Sequence, residues 1–194
     1  MKEDVIILDF FDSFTYNIAN EVAQMGLSVS VNQNPNEVLK KLLNIRKKKI
    51  LILGPGPGHP DDYQAIFPLI EKLFQNKHLY FLGICLGHQI IWSIKGENVL
   101  KSKNPIHGRA VPFKIPPWKE FFNKRDFGHE TLVQRYNSLT VIPSGKNIGD
   151  FSFSKGEVMA GKFERGLTYQ FHPESVGTIN SKIFFEPLKK ILFK

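Results

Sequence analysis

The one cysteine of this 194-residue chain stands in the segment Gly83-Ile84-Cys85-Leu86-Gly87-His88-Gln89, directly after the apolar run Leu79-Tyr80-Phe81-Leu82. A thiol is an intrinsically strong nucleophile among side chains, and its reactivity depends on how it is displayed. Glycines two residues before and two after it let the backbone turn sharply at the end of a strand, so the side chain stands clear of the sheet. A lone cysteine without such a frame reads as a small buried hydrophobe. The frame argues instead for a displayed nucleophile at a strand-to-helix elbow.

A nucleophile of this kind needs a base, and Thr168-Tyr169-Gln170-Phe171-His172-Pro173-Glu174-Ser175 supplies a candidate. Residues i and i+2 of an extended segment face the same side, so the Glu174 carboxylate can reach a ring nitrogen of His172 and fix its tautomer. Pro173 stiffens the pair by fixing its own φ. Cys85, His172 and Glu174 then read as nucleophile, base and orienting group. His88 is the competing base, but a helix beginning after the elbow carries it up the first turn and away from a substrate above the sheet edge. His59, His78, His107 and His129 read as structural or exposed. The loop Gly54-Pro55-Gly56-Pro57-Gly58 follows a buried strand, and glycine lets backbone N–H groups approach a ligand closely. With the Leu86 N–H, such a donor would stabilise the oxyanion of a tetrahedral intermediate. No lysine and Ser/Thr follow in the spacing of a phosphate-binding loop.

The elements that must position these groups alternate in α/β fashion. Val5-Ile6-Ile7-Leu8, Ile50-Leu51-Ile52-Leu53 and residues 79–82 are continuous apolar runs, as central parallel strands should be, with a further strand over 27–31. Helices are predicted over 16–25, closed by Gly26, over 35–43 with Asn34 as N-cap and Pro35 in the first position, over 67–74, and from 87 to 94. From residue 98 the prolines at 105, 112, 116 and 117 break any long helix. Short alternating pieces there suggest a smaller antiparallel portion, followed by a last helix near 183–192.

Five blocks, in order, resemble a known family. Gly83 to Gln89 and Gln170 to Ser175 look like the two signature segments of class I (triad-type) glutamine amidotransferases. Asp12-Ser13-Phe14-Thr15-Tyr16-Asn17, Pro55-Gly56-Pro57-Gly58 and Arg135-Tyr136-Asn137-Ser138-Leu139 resemble the branch that serves anthranilate synthase and aminodeoxychorismate synthase. The resemblance runs from about residue 4 to 178. It implies a three-layer α/β fold, flavodoxin-like, with a mostly parallel central sheet, a nucleophile elbow and a smaller antiparallel portion, over residues 1–194 as one glutamine amidotransferase domain. It implies that Gly56, Pro57, Gly58, Gln89, Ser138 and Leu139, with Leu86 beside the nucleophile, hold glutamine. The implied activity is hydrolysis of glutamine to glutamate, with ammonia passed to a chorismate-using synthase subunit in a hetero-oligomer. That synthase would be anthranilate synthase of tryptophan biosynthesis, or aminodeoxychorismate synthase of folate biosynthesis, or both through a shared subunit. A stand-alone cysteine amidohydrolase is the rival reading. No metal or cofactor is expected on this chain, whereas the synthase would use Mg2+. Asn137 stands where the family usually has histidine, Phe10-Phe11 replaces a more polar pair, and Gly54 replaces a common serine. Residues 101–130 match poorly apart from a remnant at 106–109. The glycine loop is expected to be flexible, so that an oxyanion donor in it is aligned only when the synthase docks through residues 12–17.

Composition is that of a compact enzyme: 42% of the residues are hydrophobic, enough for one sizeable core. One cysteine excludes an internal disulfide. No Cys/His spacing matches a structural zinc site. No apolar stretch approaches a membrane span and no signal peptide is recognisable at the N-terminus, so a cytoplasmic address is expected. The net charge of +8 raises the question of nucleic acid. The strongest run, Arg46-Lys47-Lys48-Lys49, lies between a helix and a strand without interleaved aromatics and reads as solvated surface.

Overall fold

The computed structural model describes residues 2–146 and 148–193. In chain order the elements are β1 (Val5–Leu8), α1 (Thr15–Gln24), β2 (Val29–Asn32), α2 (Pro35–Leu42), β3 (Lys49–Leu53), α3 (Phe67–Leu73), β4 (Leu79–Ile84), α4 (Leu86–Ile94), β5 (Asn98–Lys114), β6 (Glu130–Ile142), β7 (Asp150–Ser154), β8 (Glu157–Phe163), β9 (Gly166–Tyr169) and α5 (Lys182–Phe193). A 3-10 turn at Pro60–Ile66 precedes α3.

The apolar runs become central strands because both faces of the sheet are covered. Odd residues of β1 and even residues of β3 and β4 (Val5, Ile7, Ile50, Ile52, Leu82, Ile84) enter one core with Ile18 and Val22 of α1 and Phe184 and Leu188 of α5. Their neighbours Ile6, Leu8, Leu51, Leu53 and Phe81 enter the other, with side chains of α2, α3 and α4. Each such side chain contributes up to roughly 1.5–3 kcal/mol on burial. Asn34 caps α2 by accepting from the Glu37 N–H at 3.3 Å, and Gly26 closes α1 at φ 77°.

The strands form a seven-stranded sheet in the order β2-β1-β3-β4-β9-β8-β7, parallel from β2 to β9 and antiparallel beyond. Its parallel part has the flavodoxin-like order, which reverses between β1 and β3. Ligands bind such sheets at the carboxyl ends of the strands beside that reversal. The loops after β1, β3, β4 and β9 all leave the sheet at that edge.

The antiparallel portion differs from the short pieces expected. β5 and β6 are long strands of 17 and 13 residues, paired as a separate two-stranded ribbon. The prolines do not break it because each strand of a two-stranded ribbon is an edge. Pro105 falls in the register break between Lys101 and Ile106, and Pro112 is accommodated opposite Leu132. Lys49 also departs from its reading as solvated surface: it opens β3, is buried, and its Nζ donates to the Glu3 carbonyl.

Helix α4 is buried on all sides from Leu86 to Trp92 and runs behind the elbow. Its approach to the sheet depends on missing side chains. A Cβ on Gly87 would lie 2.0 Å from the Leu53 carbonyl oxygen, and one on Gly83 would lie 2.8 Å from the Gly87 oxygen. Gly87→Ala should therefore destabilise the fold by about 3 kcal/mol or more. Gly26→Ala, strained only by its left-handed φ with nothing within 4 Å, should cost about 1–2 kcal/mol. Urea midpoints of the two variants check the ranking, and equal losses would contradict it.

His88 on this helix is fully buried, with Nδ1 2.8 Å from the Thr168 hydroxyl, and burial pushes its pKa down from 6.5 to about 3. The unfolded chain therefore takes up a proton below pH 6.5 that the folded chain refuses until about pH 3. Stability is present above that window and falls through it as pH drops, by up to about 1.4 kcal/mol per unit from this residue. His88→Asn should flatten the acid limb of a stability-against-pH curve. An unchanged slope would contradict the assignment.

Candidate functional site

Cys85 sits between the last residue of β4 and the first of α4 with φ 51° and ψ −104°. A positive φ is uncommon for a residue with a Cβ and persists only where the surroundings enforce it. Here the Cys85 N–H donates to the Tyr169 carbonyl at 2.8 Å, the Gly87 N–H to Gly54 at 3.1 Å, and the Gln89 N–H to Cys85 itself at 3.2 Å. Sheet and helix thus grip the residue from both sides, and its side chain stays partly accessible, 8% exposed.

His172 and Glu174 follow β9, the neighbour of β4. The Glu174 carboxylate accepts from His172 Nδ1 at 2.7 Å, and both groups are buried. That bond places the proton on Nδ1 of the neutral ring and leaves Nε2 for chemistry. Nε2 makes no regular hydrogen bond in this structure. Burial opposes a charge on His172, but Cys85 and then Glu174 favour the charged ring more strongly, and its pKa stands well above the ordinary imidazole value. The imidazole is also fixed by its backbone. The main-chain N–H of His172 donates to the Gln134 carbonyl at 2.9 Å, and its main-chain carbonyl accepts from the Thr178 hydroxyl at 2.6 Å. The rings of Phe14 and Tyr136 meet it edge to face, with centroids 5.4 and 5.2 Å away.

Cys85 opens on a cavity of about 200 Å³ lined by Gly56, Pro57, Gly58, Cys85, Leu86, Gln89, Ser138 and Leu139, which brings together every residue expected to hold glutamine. His107, Tyr136 and Asn137 complete the lining. Larger hollows occur elsewhere, one beside Glu120 and Lys162 and one beside Arg125 and Glu186, but neither is lined by Cys85. Gly56 packs so closely on Phe10 and Leu86 that a Cβ would fall 2.5 Å from the Phe10 Cβ. The glycine loop is braced. Tyr63 donates to the Pro57 carbonyl at 3.1 Å, Asp62 accepts from the His59 N–H at 2.7 Å, and the Tyr63 ring meets Phe10 at 4.9 Å.

On β6, Asn137 occupies the position where histidine is usual. Its Oδ1 accepts from Arg135 Nε at 2.9 Å, and its Nδ2 donates to the Leu139 carbonyl at 2.8 Å. Arg135 is in turn paired with Glu157 at 2.5 Å, both nearly inaccessible. Breaking a buried pair by removing one partner typically costs 3–5 kcal/mol. This rigid chain sets the strand edge carrying Ser138 and Leu139. His107 Nε2 lies 2.9 Å from the Ser138 hydroxyl on the same wall. His88 lies behind the elbow, hydrogen-bonded to Thr168, and does not line the cavity.

Phe14, Tyr136 and Gln170 stand in blocks quoted from the sequence with no role assigned, and Asn137 only as a departure from the family's histidine, yet Phe14 meets the His172 ring, Tyr136 and Asn137 line the cavity and Gln170 faces Cys85. Gln170 had a signal. It stands two residues before His172, so the alternation that pairs His172 with Glu174 places it on the same side. Its Nε2 lies 3.9 Å from the Cys85 sulfur. Among the described residues no cluster of His, Cys, Asp and Glu could hold a metal ion, and no helix is long and apolar enough to cross a membrane.

This arrangement stands beside clear relatives. The chain is 30% identical to anthranilate synthase component 2 of Helicobacter pylori over 187 residues, covering 94% of each chain. It is 32% identical to the pyocyanine-specific anthranilate synthase component 2 of Pseudomonas aeruginosa, covering 94% of this chain and 90% of that one. A solved glutamine amidotransferase structure from Thermotoga maritima shares the fold with a TM-score of 0.65 at 20% identity, over 88% of this chain and 75% of that one. Residues 6–191 match the class-I glutamine amidotransferase family along nearly the whole chain, and the chain belongs to that family.

Proposed function

We propose that this chain is the glutaminase subunit of a chorismate-using synthase, anthranilate synthase in the first place, and that Cys85, His172 and Glu174 carry the chemistry. The observation that carries the reading is a displayed thiol beside a carboxylate-held imidazole, opening on a cavity that gathers the expected glutamine contacts. The names of the curated relatives favour the anthranilate branch over aminodeoxychorismate.

In this mechanism the Cys85 thiolate attacks the side-chain carbonyl carbon of glutamine. A carbon–sulfur bond forms, and the carbonyl oxygen becomes an oxyanion facing backbone N–H groups of Leu86 and the 54–58 loop. One such donor is typically worth about 2.7–4 kcal/mol of barrier. The His172 imidazolium gives its Nε2 proton to the leaving nitrogen as the carbon–nitrogen bond breaks, releasing ammonia and leaving a γ-glutamyl thioester. His172 then takes a proton from water. The resulting hydroxide equivalent attacks the thioester, and glutamate leaves as the thiolate is restored. Glu174 holds the ring and stabilises its charged form throughout. The tight Arg135–Asn137–Leu139 chain keeps the cavity wall fixed while this happens.

Coupling to the synthase has a physical route. Phe14 lies in the 12–17 block and packs on the His172 ring, while Phe11 and Tyr16 beside it are 73% and 68% exposed. Phe11 also has a positive φ of 63°. A synthase covering those apolar side chains would settle this loop, and with it the Phe14 contact that orients the base.

Cys85→Ser should abolish glutamine-dependent product in the complex and leave product formation from ammonium salt at high pH intact. His172→Ala should be nearly as damaging, and Glu174→Gln should retain more activity. Product identification separates anthranilate from aminodeoxychorismate, and glutamine-dependent turnover by the serine variant would sink the assignment. Glutamate release by the isolated chain should also be low and rise about tenfold or more with the synthase, equivalent to about 1.4 kcal/mol of barrier. Phe14→Ala should blunt that rise. Equal rates with and without synthase would favour a stand-alone amidohydrolase.

A further inference from the structure

We infer that Gln170 is a positioning residue that holds the Cys85 sulfur through its side-chain amide and ties it to the Ser138–Leu139 wall of the cavity. Nothing in the mechanism above uses this residue, yet it is completely buried and its Nε2 faces the sulfur at 3.9 Å. Its Oε1 accepts from Gln89 Nε2 at 3.1 Å, and that same Gln89 nitrogen reaches the Leu139 carbonyl at 3.4 Å.

The direction of this chain follows from its end at Leu139. A side-chain amide can be turned end for end, but a backbone carbonyl is always an acceptor. The Leu139 oxygen already accepts from Asn137 Nδ2 at 2.8 Å, and at 3.4 Å it disfavours a second acceptor, so it selects the nitrogen end of Gln89, and that nitrogen pairs with the oxygen end of Gln170. Only the NH2 of Gln170 is left to face the sulfur. The reversed arrangement would set two acceptors against each other at Leu139 or two donors between the glutamines. The Gln170 backbone is itself anchored, its N–H donating to Met159 of β8 at 2.9 Å.

Two consequences follow. A fixed donor favours a negatively charged sulfur, because hydrogen bonds to charged groups are the strong ones. It also confines the sulfur to one side of the cavity. The Gln89 oxygen remains as an acceptor at the cavity lining, so the residue that receives substrate and the residue that steadies the nucleophile share one hydrogen bond.

The proposal rests on Cys85 being the glutaminase nucleophile, and its test does not require turnover. Cys85 is the sole cysteine, so iodoacetamide alkylation reports one sulfur. In the full chain, Q170M keeps the volume and removes the donor, while Q170E presents an acceptor to the sulfur. The pH of half-maximal alkylation should move up by about one unit in Q170M and further in Q170E. With the synthase present, Q170M should lower kcat for glutamine about tenfold and leave ammonium-dependent synthesis intact. An alkylation profile for Q170M that coincides with that of the unsubstituted chain overturns the proposal, whatever Q170E shows. Should Q170M fail to fold, the Gln170 side-chain NH2 resonance of the unsubstituted chain, followed by NMR, should titrate at the pH where alkylation is half-maximal. A resonance that does not move overturns the proposal equally. Shifted profiles in a chain that never releases glutamate would refute the glutaminase reading and leave the Gln170 assignment standing.

Discussion

The close approach of α4 to β3 and β4 is possible only because Gly83 and Gly87 have no side chains, and everything at the site depends on it. With Gly87 pressed on the Leu53 carbonyl and Gly83 on Gly87, the chain must reverse between them in three residues. Cys85 takes up the strain with a left-handed φ of 51°. A residue in that conformation is held by its neighbours and gains nothing from it locally, so the backbone bonds to Tyr169 and Gln89 hold it in place. The thiol then stands at the carboxyl edge of the sheet, next to the strand β9 that leads to His172. Moving α4 outward by the width of a methyl group would separate the sulfur from His172, Gln170 and the glycine loop together.

Around that point the molecule places rigid polar chains where flexible loops would otherwise be. His172 is held by Glu174, Gln134 and Thr178, and the cavity wall by Glu157, Arg135 and Asn137. Buried polar networks of this kind rigidify, and the two atoms left here without a regular hydrogen-bond partner, His172 Nε2 and Glu174 Oε2, carry a desolvation cost. The Asn137 amide is a case in point. It takes a hydrogen bond from Arg135 and gives one to Leu139, so a residue that departs from the family's usual histidine still completes the wall.

The elements and the three catalytic candidates were legible in the sequence because each depends on local pattern. Continuous apolar runs become central strands, Asn34-Pro35 starts a helix, and the 172/174 spacing puts two side chains on one face. The remainder depends on partners distant in the chain. Arg135 finds Glu157 across 22 positions, Gln89 finds Gln170 across 81, and Phe14 reaches His172 from the opposite end of the sequence. The length of the β5–β6 ribbon was obscured because the prolines exclude a helix there but do not show that both strands are edges that tolerate them. Lys49 was obscured by its charged neighbours, although its position at the start of a buried strand gives its stem an apolar bed and its ammonium a carbonyl. Gln170 was accessible to the same i, i+2 argument that paired His172 with Glu174.

The account requires a covalent intermediate on Cys85, and that can be observed directly. The synthase complex is mixed with glutamine, quenched in acid and examined by intact-mass and peptide mass spectrometry, with a parallel reaction containing hydroxylamine. A γ-glutamyl adduct on the Cys85 peptide, and γ-glutamyl hydroxamate formed at the expense of glutamate, are the predicted results. Steady release of glutamate and ammonia with neither adduct nor hydroxamate would contradict it.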